Sequence, residues 1–204
     1  MTETKFRTEQ PPMVLRTSPA LEMDDDQLFE FCRINREWRI ERNAEGELEV
    51  MVPTGGETSN RNFKLVVQLG IWTDRDGTRV AFESNGGFIL PNGAMRSPDA
   101  SWARRERLAN LTAEQKQRFL PLCPDFVIEL RSPSDPLTPL EARMREYLEN
   151  GARLGWLIDP EERKVQVHRP GGPPEVLDRS DRLSGDPELP GFVLDLRSIW
   201  RPGF

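Results

Sequence analysis

The sequence predicts an α/β protein with a mixed central β-sheet, flanking helices and added β-hairpins. Two apolar, partly β-branched runs at 126–130 and 154–158 suit buried strands, and apolar residues at helical spacing fill 139–151 between them. Short alternating segments bounded by turn residues elsewhere in the chain are typical of hairpins. Together these patterns favour a layered α/β architecture.

The N-terminal third is expected to hold two helices around a hairpin. Acidic residues followed by apolar residues at helical spacing predict a helix over 21–35, and a second apolar stripe predicts a helix that begins at residue 58 or 59. Between them, the alternating segments 38–42 and 47–52 flank the turn sequence Asn-Ala-Glu-Gly. This arrangement predicts a β-hairpin.

The rest of the chain is predicted to be mainly strands, with one insertion and one helix. The charged stretch 104–122 has a helical composition and is expected to be an insertion between two strands. Pro139 suits the first turn of the helix 139–151, and Gly151 suits its C-terminal cap. Strands are expected at 78–83, 87–90, 96–103, 126–130, 154–158, 164–169, 175–177 and within 189–200.

Length and composition indicate one domain with an N-terminal arm. The polar, proline-bearing residues 1–20 are expected to be a flexible arm, and residues 21–204 a single domain. A formal net charge of −6 argues against phosphate binding over the whole surface, although it does not exclude a local basic groove. No apolar run is long enough for a membrane span or a signal peptide, so a soluble, cytoplasmic protein is expected.

Cysteine and histidine usage gives little support to zinc or nucleophilic chemistry. Cys32 and Cys123 lie far apart and form no paired motif, so reduced, buried thiols are expected. His168 is the sole histidine, and its alternating segment predicts an exposed position without a neighbouring nucleophile.

Two acidic residues mark the candidate site. Asp99 lies in the phrase Ser-Pro-Asp at the start of one expected strand, and Glu129 closes the apolar run at 126–130. If those strands are neighbours, the two carboxylates could bind a divalent cation such as Mg²⁺, which takes one or two protein carboxylates and retains several waters. Phosphodiester hydrolysis uses such an ion.

Simpler roles for these acids stay open at this point. An aspartate in a Ser-Pro-Asp turn is often a turn former or a helix cap. A buried Glu129 must be paired or coordinated, because a bare buried carboxylate is very costly, and Arg131 or Arg143 could be that partner without any catalysis.

Three phrases in this order resemble the Uma-two family of proposed restriction endonucleases. They are SPDASW, PDFVIELRSPSD and EARMREYLENGARLGWLIDP, and the segments MVPTGGETSNRNFKLVVQLGIWT and GFILPNGAMRSPDASW fit the family as well. The resemblance covers roughly residues 20–200. It implies membership of the PD-(D/E)XK nuclease superfamily and a restriction-endonuclease-like fold, with a mixed sheet flanked by helices.

The resemblance also implies a ligand set. Asp99 matches the first acid of the motif and Glu129 the second, and the backbone carbonyl of Leu130 is the expected further ligand of Mg²⁺ or Mn²⁺. Family members often carry a catalytic lysine four residues before a tyrosine on the following helix. That position is Arg143, ahead of Tyr147.

An additional acid near the first core helix is common in the superfamily. Glu57 is the candidate for this role, and Glu49 is the alternative. The resemblance further implies DNA as the substrate and a homodimer, to which the N-terminal arm or the region of Trp200 could contribute.

One departure from the motif leaves two functions open. Both places for the catalytic lysine, 131 and 143, hold arginine. Arginine retains the charge that stabilises a phosphate, but its pKa is too high for it to accept a proton. The sequence therefore predicts either a metal-dependent endonuclease or a degenerate nuclease fold that acts as a DNA-binding or assembly module.

Overall fold

The computed structural model describes residues 13–18 and 20–203. The helices in that part of the chain are α1 (Asp25–Ile34), α2 (Gly56–Asp76), α3 (Arg105–Ala109), α4 (Leu137–Glu149) and α5 (Arg197–Trp200). The strands are β1 (Met13–Leu15), β2 (Arg39–Arg42), β3 (Leu48–Met51), β4 (Arg79–Glu83), β5 (Phe88–Ile89), β6 (Met95–Arg96), β7 (Ala100–Arg104), β8 (Phe126–Leu130), β9 (Leu154–Asp159), β10 (Lys164–His168), β11 (Glu175–Asp178), β12 (Arg182–Ser184) and β13 (Val193–Asp195).

The central sheet has six strands in the order β11-β10-β9-β8-β7-β4. β8 and β9 run parallel and are joined by α4, whereas all other neighbours in this sheet are antiparallel. A parallel pair needs such a crossover connection, and a helix commonly provides it. The predicted mixed sheet flanked by helices is therefore confirmed.

Alternate residues of β8 divide the core into two layers. Phe126 and Ile128 belong to the apolar cluster that contains Leu65 of α2 and the C-terminal segment. Val127 belongs to the cluster on the other side of the sheet, together with Met144 of α4. Successive side chains of a strand point to opposite faces, so the residue two beyond Val127 also projects towards α4.

A second, five-stranded sheet is built from the N-terminal third in the order β1-β3-β2-β6-β5. The predicted hairpin forms its centre, with Arg39 of β2 opposite Met51 of β3. Leu28 of α1 packs with Ile40 and Met95 on this sheet. The connection 97–99 passes from β6 in this sheet to β7 in the central sheet, and it brings the two sheets together at one point.

Two predicted segments differ in detail. The strand expected over 96–103 is two strands, β6 and β7, separated by the segment around Pro98, which has no backbone N–H for a ladder. The insertion 104–122 contains only α3 and a short 3-10 turn, Gln115–Gln117. Thr112 and Gln115 form a reciprocal cap, with N···O distances of 2.9 and 3.1 Å, but no long helix follows.

The prediction that His168 is exposed is wrong. His168 projects from the face of β10 that α4 covers, so its ring is buried, and its Nε2 lies 3.0 Å from Gln166 Oε1. Burial lowers the pKa of this imidazole, opposed by Glu141. The histidine therefore has a packing role.

The two ends of the described chain add short elements. Met13–Leu15, within the segment expected to be an arm, forms the exposed edge strand β1 against β3, and residues 1–12 lie outside the described part. β12 and α5 were not predicted, whereas β13 falls within the expected C-terminal strand segment. Among residues 13–18 and 20–203, none of the helices has the length and hydropathy that crossing a bilayer requires.

A substitution at Gly155 can test how closely β9 packs against α4. A Cβ at this position would overlap Met144 Cε and lie 3.4 Å from Val127 Cγ2. Gly155→Ala should therefore lower the free energy of unfolding by about 1–3 kcal/mol in urea denaturation, the usual cost of overpacking. The cost should be smaller in a Met144→Ala background. A matched control is Gly70→Ala in α2, where a Cβ meets open space and helix propensity should add about 0.5–1 kcal/mol.

Candidate active site

Adjacent strands bring Asp99 and Glu129 together. Ala100, the first residue of β7, is opposite Ile128 of β8 in the antiparallel register, so Asp99, which immediately precedes β7, comes beside Glu129. Opposed residues of an antiparallel pair project to the same face of the sheet. The backbone N–H of Leu130 donates to Asp99 Oδ2 at 2.8 Å, which fixes the aspartate beside the end of β8.

Glu129 lies in an apolar layer and has one direct hydrogen-bond donor from α4. Its side chain is on the α4 side of the sheet, and the residue is only 3% exposed. The Tyr147 hydroxyl donates to Glu129 Oε1 at 2.9 Å. Because Tyr147 is itself fully buried in the apolar cluster beside Met144, this bond holds the carboxylate in one orientation.

Both carboxyl groups are harder to ionise than usual. The pKa of Glu129 is raised to about 7: burial raises it most, Arg143 opposes the increase, and the nearby Asp99 and Glu41 carboxylates add to it. Burial also raises the pKa of Asp99, opposed by Arg39 and by the hydrogen bond from Leu130. Two anions held together in a poorly hydrated site repel one another, and a bound cation relieves that repulsion.

Glu41 of β2 was not predicted as a site residue, yet it connects the site to the hairpin sheet. It is completely buried, and its Oε1 accepts from the backbone N–H of Ser97 at 3.1 Å. Its Oε2 lies 3.4 Å from both Arg96 and Arg143. These cations and the Ser97 hydrogen bond lower the pKa of Glu41 although burial alone would raise it.

Arg143 lies in α4 and lines the same groove as Asp99 and Glu129. Its Nη2 donates to Glu49 Oε2 at 3.0 Å in addition to its ion pair with Glu41. Burial would lower the pKa of this guanidinium, but the surrounding carboxylates raise it well above its usual value. It is therefore a permanent positive charge beside the carboxylate pair.

The alternative position for the motif cation, Arg131, has other contacts. Its Nη1 donates to Asp159 Oδ2 at 2.7 Å and its Nε to the Asp135 carbonyl at 2.9 Å. These contacts hold the Arg131 guanidinium at the end of β9, and among the described residues it does not line the groove that contains Glu129. Arg131 fixes the loop between β8 and α4.

The two candidates for the additional acid have different environments. Glu57 is in the first turn of α2 with its side chain 59% exposed, where it pairs with Arg61 at 3.0 Å. It does not line the groove, as far as the described residues define it. Glu49 of β3 contacts Arg143 and also Arg96, the latter at 2.8 Å. The alternative, Glu49, is thus the acid in contact with the site.

Arg39 of β2 is a second unpredicted residue at the site. Its guanidinium donates to Glu41 Oε1 and the Ser97 carbonyl, and it lies 3.6 Å from Asp99 Oδ1. In the sequence, Arg39 and Glu41 alternate with apolar residues as on any exposed hairpin face. This face of the hairpin is buried because the connection 97–99 packs against it.

The charge balance and ligand types fit one divalent cation. Within the described chain no group of three or more histidine, cysteine, aspartate or glutamate side chains is arranged to hold a metal. Mg²⁺ needs only one or two protein carboxylates, and carbonyl and water oxygens complete its coordination. Asp99 and Glu129 can supply the carboxylates, and Leu130 can supply a carbonyl. Among the described residues, the cluster around the site has two more carboxylates than guanidiniums: Glu129 and the ion-paired Asp99, Glu41, Glu49 and Glu146 against Arg39, Arg96 and Arg143.

A groove of about 500 Å³ opens beside the carboxylates. The end of β8 and the connection before β7 form its floor, where Asp99, Glu129 and Leu130 lie. The hairpin contributes one wall, with Trp38 and Val52, and the segment leading into α4 contributes the other. The carboxylate pair is therefore open to a ligand from this side.

The central sheet is mixed and has helices on both faces, and two carboxylates meet at the ends of adjacent strands beside the buried Arg143 guanidinium. These features are those of the restriction-endonuclease-like class of folds. Residues 25–197 match the Uma2 family model, described as "Putative restriction endonuclease". The match spans most of the chain, so this protein belongs to the Uma2 family.

A solved structure supports the fold assignment. It is described as a putative nuclease belonging to DUF820 from Anabaena variabilis ATCC 29413. The similarity covers 79% of this chain and 89% of that chain with a TM-score of 0.67 and 23% sequence identity. A search of curated proteins finds no relative that matches this chain.

Replacing Glu129 should change how stability depends on pH. A carboxyl whose pKa is raised on folding contributes stability that is complete below its unfolded value, 4.5, and is lost as the pH rises through about 7. Glu129→Gln stays neutral, so in EDTA it should match the wild type near pH 4 and exceed it by up to about 3 kcal/mol at pH 8. Urea denaturation at several pH values checks this. An identical difference at every pH would contradict the raised pKa.

Glu41 and Glu57 provide a matched pair of acid substitutions. Glu41→Gln removes a buried charge that balances several arginines, so it should lower the free energy of unfolding by about 3–5 kcal/mol. Glu57→Gln removes an exposed pair and should change stability by less than about 0.5 kcal/mol. Thermal and urea unfolding of both variants measures the difference. Equal losses would contradict the assigned environments.

Proposed function

We propose that this protein is a metal-dependent endonuclease that hydrolyses phosphodiester bonds in DNA. The observation that carries the proposal is the hydrogen bond from Leu130 N–H to Asp99 Oδ2, because it holds Asp99 beside Glu129 on the floor of an open groove. Membership of the family described as "Putative restriction endonuclease" supports the reaction class.

Asp99, Glu129 and the backbone carbonyl of Leu130 would hold Mg²⁺ or Mn²⁺. When bound, the ion supplies positive charge to the phosphate and lowers the pKa of a coordinated water. Tyr147 orients Glu129 through its hydroxyl, and the Leu130 N–H orients Asp99. Ligands that are already held in place lose little freedom on binding the ion.

Arg143 contributes fixed positive charge where negative charge grows on the phosphate. Glu49 and Glu41 hold its guanidinium in place, so the charge needs no rearrangement during the reaction. The guanidinium cannot accept a proton at neutral pH, which excludes a general-base role for this residue. Arg39, 3.6 Å from Asp99, adds a second cation to the groove.

The alternative is a degenerate nuclease fold that binds DNA or assembles without cleaving it. The observation that favours it is the arginine at both motif positions, since a reaction that needs a lysine as proton acceptor would fail here. The strong pairing of Arg143 with two glutamates also limits its freedom to turn towards a phosphate.

A homodimer remains part of the proposal, because two subunits can cut two strands. Trp200 is buried, with its Nε1–H donating to the Ser180 carbonyl at 2.8 Å, so the indole itself is unavailable for an interface. Sedimentation velocity of the full chain gives the oligomeric state directly.

Plasmid cleavage in Mg²⁺ or Mn²⁺ tests the proposed reaction. The wild type should nick supercoiled DNA, and EDTA should abolish this. Asp99→Asn should lose at least about 100-fold in rate, since the ion contributes several kcal/mol of charge stabilisation. Glu57→Gln, which changes a side chain outside the groove, should retain full activity.

The outcomes separate the two candidate functions. If the wild type cleaves DNA and Asp99→Asn cleaves it equally well, the carboxylate pair is ruled out as the catalytic centre. An inactive wild type that gains cleavage on Arg143→Lys would identify the arginine as the cause of inactivity and support the degenerate fold. If Glu57→Gln loses as much cleavage activity as Asp99→Asn, Glu57 is part of the active site.

A further inference from the structure

One side of the groove carries exposed apolar side chains among polar ones such as Glu37 and Thr54. Trp38 is 45% exposed and Val52 is 66% exposed, and both line the groove that contains Asp99 and Glu129. The floor opposite this side is highly charged. A groove with charged residues on one side and apolar side chains on the other suits a ligand that has both an anionic group and a flat apolar group.

Trp38 differs from the other four tryptophans of the chain. Trp72, Trp102 and Trp156 contact other aromatic rings, and Trp200 is buried at the C-terminal end. At 45%, Trp38 is the most exposed of the five tryptophans, and nearly half of its surface is open to solvent. That open part of the indole is available to a ligand in the groove.

The hairpin fixes Trp38 close to the catalytic residues. Its backbone N–H donates to the Asn35 carbonyl at 3.0 Å, which holds the turn between α1 and β2. The next residue along the chain, Arg39, contacts Asp99 and has a buried Nε without a hydrogen-bond partner among the described residues. Arg39 itself lines the groove, so its guanidinium charge is close enough to favour a phosphate oxygen of a ligand there.

Arg36 extends the positive charge to the rim of the groove. It is exposed, it lines the groove, and it precedes Trp38 by two residues. Cations on either side of an aromatic ring are the usual arrangement in sites that follow a nucleic-acid backbone while successive bases stack on aromatic side chains. The charges would bind phosphates, and the indole would bind a base.

Stacking on Trp38 requires a base whose face is free. In a duplex both faces of each base are covered by neighbouring pairs, so a base must be unpaired or rotated out before a side chain can stack on it. The groove volume of about 500 Å³ is within the range for small-ligand pockets and is suited to a nucleotide or two.

We propose that Trp38 is a base-stacking platform through which this protein selects unpaired nucleotides, as in single-stranded DNA, next to the phosphate to be cleaved. The inference rests on the proposed nuclease function and names its substrate class. Trp38 would contact the base, Arg36 and Arg39 the phosphates, and the carboxylate pair the phosphodiester through the ion.

Oligonucleotide binding tests this proposal with the full chain in Ca²⁺. The probes are one fluorescent single-stranded oligonucleotide of mixed sequence and the same sequence as a blunt duplex. The wild type should bind the single strand more tightly. Trp38→Ala should weaken single-strand binding by roughly 5- to 150-fold, the range that base–aromatic stacking implies. Trp38→Phe, which keeps an aromatic face, should retain most of it.

Val176→Ala is the matched control, because Val176 is a similarly exposed apolar residue on β11 that does not line the groove. It should leave binding of both probes unchanged. Circular dichroism and sedimentation velocity on each variant detect loss of fold or a change of oligomeric state. A Trp38→Ala variant that binds the single strand as the wild type does would overturn the proposal.

Other outcomes distinguish this proposal from the function on which it rests. Metal-dependent cleavage of duplex DNA that is indifferent to Trp38→Ala would overturn the stacking platform and leave the nuclease intact. Binding of neither probe, together with no cleavage, would overturn both. A shift from dimer to monomer in Trp38→Ala with unchanged binding would assign this side of the groove to an interface between copies of this chain.

Discussion

A single buried carboxylate, Glu41, connects the two sheets of this protein. It accepts a hydrogen bond from the connection that carries Asp99, and it balances three arginines that come from β2, β6 and α4. Without it, those guanidiniums would be buried with too little compensating charge, which is expensive in a poorly hydrated interior. The position of Asp99, and therefore the site, depends on this contact.

The same cluster is the physical basis for the cation site that we propose. The arginines do not balance all the carboxylates, and the remaining negative charge is concentrated on Asp99 and Glu129, whose pKa values are raised. Such an arrangement is unfavourable in the apo state and becomes favourable when positive charge is added. Proteins commonly accept this kind of local cost where they bind ligands or perform chemistry.

Much of the fold could be predicted because its elements have strong local signals. The β2–β3 hairpin follows from alternation around a turn, and β8, α4 and β9 follow from apolar runs around a helical repeat. The prediction was less successful where a signal was short or where tertiary contacts determined the outcome. His168 alternates like an exposed residue, yet α4 covers that face of its strand, and Pro98 divides one expected strand into two.

The sequence by itself determined the strands of the central sheet, the acids at 99 and 129, the arginine at 143 and the family to which these motifs belong. Those features are local, and their spacing is visible in the chain. Only the tertiary structure decided which other charges join them: Glu41 and Arg39 enter the site, whereas Glu57 stays at the surface. Strand alternation specifies which residues share a face, but which surface covers that face depends on segments that are distant in sequence.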